Sequence, residues 1–161
     1  MIWIWVTAVG IGGAAATWFA AGPQRFWANW LVWTLFMTSV GLGSLFLVAL
    51  EHLVGARWSI PIRRAPERLS GFILLAAPAA MLALLSLPVL YPWTRPEAAL
   101  NPLLAGKSAW LNVPFFCARA AACFLLWAAS YRVLVTGSLR QDLSKDPAFN
   151  LRARRFAPAF M

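Results

Sequence analysis

Four long stretches of this chain carry almost no charge, and that alone decides what it can fold into. No Asp, Glu, Lys or Arg occurs over 1–24, 26–50 or 69–94, and 108–131 holds only Arg119. A helix needs about twenty residues at 1.5 Å each to cross ~30 Å of hydrocarbon, so every one of these stretches is long enough to span a membrane. With 61% hydrophobic residues, 12% charged and a mean hydropathy of +0.69, an ordinary soluble domain is excluded. The expected fold is all-α, a polytopic transmembrane helix bundle over 1–136 with four spans at about 2–21, 26–54, 69–91 and 110–135, followed by a basic cytoplasmic tail over 137–161.

Small residues mark the faces on which these helices would pack. Gly10, Gly12 and Gly13 in the first span, Ser39 and Gly43 in the second, and Ala76, Ala79, Ala80 and Ala83 in the third allow close backbone approach. Gly22-Pro23 is a breaker between the first two. Pro78 and Pro88 should kink the third, because each removes a backbone donor.

Orientation follows from the arginines. The loop after the second span holds Arg57, Arg63, Arg64 and Arg68, and the tail holds Arg140, Lys145, Arg152, Arg154 and Arg155, whereas the other connectors hold Arg25, and Arg95 with Lys107. Four spans put both rich segments and both termini on the cytoplasmic side of a multi-pass protein in a bacterial inner membrane. The net charge of +9 belongs to this topology and to anionic lipid headgroups. It is spread over short segments with no aromatic-basic face, so nucleic acid is not an expected partner.

Three places could carry chemistry. Arg119 stands nine positions from Trp110, ~14 Å into the fourth span, where a charge is costly. It needs a backbone carbonyl, a water or a group from another polypeptide, unless it snorkels out of the lipid. Glu51 and His52 are adjacent and so point to different helix faces; one of them could serve a proton path or a quinol headgroup site, or the pair could be bonded to headgroups or to Arg57. The turn with Arg57, Trp58, Arg63, Arg64 and Glu67 sets topology, with Glu67 near a helix start where the dipole favours an anion, and reads as a tight turn clamped by Arg–Glu contacts. No catalytic residue stands out. Cys117 and Cys123 lack metal-site spacing, and one histidine cannot give both axial ligands of a b-type haem, so no metal or haem site is expected in this chain.

Gly43-Ser44-Leu45-Phe46, then 50–55, Ala56-Arg57-Trp58-Ser59, Arg63-Arg64 and Glu67 resemble the first charged turn of the quinol oxidoreductase membrane subunits related to NrfD and to the membrane anchor of polysulfide reductase. The stretch 107–116 (KSAWLNVPFF), with Arg119, Trp127, Ser138-Leu139-Arg140-Gln141-Asp142 and Arg154-Arg155, is similar more narrowly to the ActF-type membrane subunits of alternative complex III. The resemblance implies a non-catalytic subunit that supports the quinol-oxidising core and could hold a proton path. It also implies a quinone nearby, with haem c and iron–sulfur clusters in partner subunits. Members of that family continue into further spans, which implies here a short or split member working beside another polypeptide. The rival readings are a small membrane transporter or channel, in which Arg119 would bind an anionic solute, and a purely structural assembly anchor.

Overall fold

The computed structural model describes residues 2–55, 62–138 and 148–160, and every regular element among them is helical. Helix α1 (Ile2–Val54) contains one residue that is not helical, Gly22, at φ 80 and ψ 163. That backbone region is essentially open to glycine alone, and Pro23 behind it has no N–H to return to the preceding turn. The break falls at the expected dipeptide, and the helix resumes at Pro23 rather than at Phe26. Gly55 ends α1 at φ 68, its N–H bonded to Glu51 O at 3.0 Å, the left-handed stop that glycine provides most readily.

Among the described residues, three stretches are long and apolar enough to cross a membrane, Ile4–Val54, Arg64–Leu90 and Val113–Thr136. The second of these is segmented into α2 (Arg64–Leu69), α3 (Phe72–Ala83), a 3-10 turn at Leu84–Ser86 and α4 (Leu87–Leu90). Pro78 lies inside α3 without ending it, whereas Pro88 sits in the first turn of α4 directly after the 3-10 turn. Short turns Pro92–Thr94 and Pro96–Leu100 lead to α5 (Pro102–Ala105), capped by Asn101, whose side chain accepts from Leu103 N–H.

The helix expected from 110 begins at Val113 instead. Asn112 caps α6 (Val113–Tyr131): its Oδ1 accepts from Phe115 N–H at 2.9 Å, while its amide donates to Ala109 O at 2.8 Å, and Pro114 occupies the first turn, where a missing N–H costs nothing. After Tyr131 the helix widens into a π-type turn, Arg132–Thr136. The final element is α7 (Ala148–Phe160).

Contacts divide the chain into two units, Met1–Thr34 with Ala80–Cys117 and Leu35–Ala79 with Ala118–Met161. In the first, Trp18, Phe26, Trp27 and Trp30 pack ring to ring at centroid distances of 5.2–6.5 Å, and Tyr91, Trp93 and Phe116 form a second cluster at 5.6–5.8 Å.

The second unit holds the core. Thr38, Gly41, Leu45, Val48 and His52 are buried along α1 at alternating spacings of three and four, one helical stripe. Around this stripe pack Ile73 from α3, Leu134 and Val135 from the π-type turn, and Ala153 and Ala157 from α7. The closest approach is at Gly41, where an added Cβ would lie 2.7 Å from Ile73 Cγ1 and 2.9 Å from the Ile73 backbone nitrogen. Meanwhile Phe46, Leu47, Leu50, Leu74, Leu75, Leu125 and Leu126 face outward. The interior thus mixes apolar side chains with small and polar ones such as Thr38, Gly41, Ser44 and His52, while the outer surface is large and apolar, as lipid allows.

Candidate functional site: a buried arginine–glutamate–serine–histidine network

Glu67 is only 2% exposed, so its carboxylate must be paired within the protein. α2 is a short helix, and its geometry supplies two partners: Arg63, four residues back, and Arg64, three back, lie on the same side as Glu67. Arg63 Nε donates to Oε1 at 3.0 Å and Arg64 Nη1 to Oε2 at 2.6 Å. A third donor comes from far away in sequence. Ser138, just past the π-type turn, donates through Oγ to the same Oε1 at 2.6 Å.

Arg63 carries the network onward. Its Nη2 donates to Ser138 Oγ and to His52 Nε2, both at 2.9 Å. Because a guanidinium can only donate, Nε2 of His52 must be the lone-pair nitrogen, and the proton resides on Nδ1, which donates to Val48 O at 2.8 Å. His52, 6% exposed, is therefore a neutral imidazole with both nitrogens engaged. Ser70 completes the turn, its hydroxyl donating to Glu67 O at 2.7 Å.

The arrangement ties together the end of α1, the start of α2 and the segment following α6. Both carboxylate oxygens, the serine hydroxyl and both imidazole nitrogens have partners, and the lone pair of His52 Nε2 is open to a proton only if Arg63 moves. As built, the site holds three chain segments in register. No family model matches the chain, and no curated protein is similar to it.

The residues singled out from sequence divide accordingly. His52, Arg63, Arg64 and Glu67 are brought together, and the expected Arg–Glu clamp is present. Arg57 and Trp58 lie outside the described residues. Of the adjacent pair, His52 is the member buried in the core, while Glu51 is half-buried on α1. Arg119 is half-buried on α6, nineteen residues before Ser138 and so roughly 28 Å from it along the helix. Because α6 starts at Val113, Arg119 is six residues, about 9 Å, from the helix start, rather than nine residues from one at Trp110. Helical side chains lean towards the N-terminus, which for Arg119 is the nearer end of the helix. Ser138 is the member that sequence reasoning misses as a site residue: it stands only inside a longer motif, and a lone serine carries no local signal of a carboxylate 71 residues away.

Proposed function

We propose that the chain is a four-span membrane subunit of a quinol-oxidising respiratory complex of the alternative complex III type, in a bacterial cytoplasmic membrane. The stretch Ile4–Val54 crosses twice, turning at Gly22, and both termini and the Arg63 network face the cytoplasm. The subunit supports the quinol-oxidising core and does not itself carry out the redox step. Quinol oxidation and electron transfer belong to partners bearing iron–sulfur clusters and haem c.

One observation carries the reading. Two separate segments resemble the ActF-type and NrfD-related proteins, one around Arg63, Arg64 and Glu67 and the other beginning at Ser138, and Ser138 meets Arg63 and Glu67 side chain to side chain in one buried network. Chance likeness at two short motifs has no reason to select residues that touch. The pairing of every member of the network favours a supporting role, and a proton route through His52 would require Arg63 to swing aside.

The test is a mass-spectrometric inventory of the native assembly released in mild detergent. Haem c and iron–sulfur proteins should travel with this chain, and Glu67→Gln should release it from them. Recovery of the chain alone, with solute flux in vesicles, would replace this reading with that of a transporter.

A further inference from the structure

The last helix presents a surface that the network leaves unused. In α7, Ala153 and Ala157 are buried in the core against Leu45, Val48 and Ala49, which fixes one face inward. The other face carries Arg152 and Arg155, both exposed, beside Leu151, which is 58% exposed. Together with Phe156 these three line an open groove of about 520 Å³. No acidic residue occurs within Ala148–Phe160, so the groove is cationic at one edge and apolar at the other.

Its depth is set by its neighbours. Arg154 Nη2 lies 3.4 Å from the position a Cβ would take on Gly55, the residue that ends α1 just beyond the apolar stretch Ile4–Val54. Leu134 and Val135, at the end of the stretch Val113–Thr136, pack in the same cluster. α7 therefore lies where two stretches long and apolar enough to cross a membrane reach their ends.

We infer that this groove is a binding site for an anionic phospholipid, with Arg152 and Arg155 on the phosphate and Leu151 and Phe156 against the upper acyl chain. Spaced at i and i+3, the two guanidiniums rise from one helix face, and arginine's planar fork suits a phosphodiester. The site requires only that the chain is embedded in a membrane, whichever complex it serves.

The test is lipid retention by the purified full-length chain, delipidated in mild detergent, titrated with phosphatidylglycerol or phosphatidylcholine and counted by native mass spectrometry. Phosphatidylglycerol should be retained preferentially. The preference should fall about thirtyfold in Arg152→Gln/Arg155→Gln and return in Arg152→Lys/Arg155→Lys. Equal retention of the two lipids by the unaltered chain overturns the proposal without recourse to a variant, as does a preference that the double glutamine variant keeps. Displacement of phosphatidylglycerol by millimolar inorganic phosphate would make this a free-anion site and overturn the proposal too.

Discussion

Arg63 donates through Nη2 to Nε2 of His52 at 2.9 Å, across eleven residues of sequence that include the turn leaving α1. The same nitrogen reaches Ser138, 75 residues on. One guanidinium thus joins the end of the first long helical stretch to the segment that follows α6, and its own orientation is held by Glu67.

Removing the charge at Glu67 should therefore loosen all three segments. Glu67→Gln turns one acceptor oxygen into a donor facing a guanidinium and should cost roughly 2–3 kcal/mol, below the full value for a buried pair because both arginines are partly exposed. Ser138→Ala removes a hydroxyl but leaves Arg63 on Glu67, and should cost about 1 kcal/mol. Thermal inactivation in mild detergent should rank the two in that order, and the double variant should fall short of their sum because the residues share partners.

Gly41→Ala should destabilise by about 1–3 kcal/mol, since the new methyl would meet the Ile73 backbone nitrogen, which cannot rotate away. Gly43→Ala is the control. Nothing lies within 4 Å of a Cβ there, and denaturant resistance should be unchanged or slightly raised.

Arg119→Leu should ease insertion of α6 by less than the about 2.5–3.5 kcal/mol expected for an arginine at a helix centre, because six residues separate it from the helix start and its side chain leans that way. Translocon insertion of the isolated segment would measure this. An effect at or above that range would show that the arginine sits deep in lipid.

Cysteines replacing Arg68 and Arg152, both exposed, should be labelled by an impermeant thiol reagent from one side of the membrane only, and from the same side. Cys117 and Cys123 must first be replaced by alanine. Labelling of the two positions from opposite faces would overturn the four-span arrangement.

Much of this architecture is legible because its causes are local. Uncharged runs announce membrane helices, Gly22-Pro23 announces a break, and Arg63, Arg64 and Glu67 fall on one side of a single turn. Asn112 with Pro114 is equally readable as a helix start, but hydropathy does not register a cap, and apolarity alone puts the helix end at Trp110. Ser138 is out of reach for a different reason. Its partners are defined only once distant segments meet, and a hydroxyl has no pattern that says which carboxylate it will find. α7 looks solvated by composition, since three arginines outweigh Ala153 and Ala157, yet that pair at i and i+4 is the small-residue face that lets the helix dock.

Gly22 has a consequence for biogenesis. A 53-residue helix without interruption would measure about 80 Å, far more than a bilayer needs. In the proposed four-span arrangement the chain reverses at this residue and crosses the membrane once more than it otherwise would, which would make Gly22 a parity element. Any L-residue placed there resists the φ 80, ψ 163 conformation. In that four-span arrangement, forcing the segment straight would carry Arg63, Arg64 and Glu67 together to the opposite side of the membrane, turning a one-residue backbone change into an inverted protein.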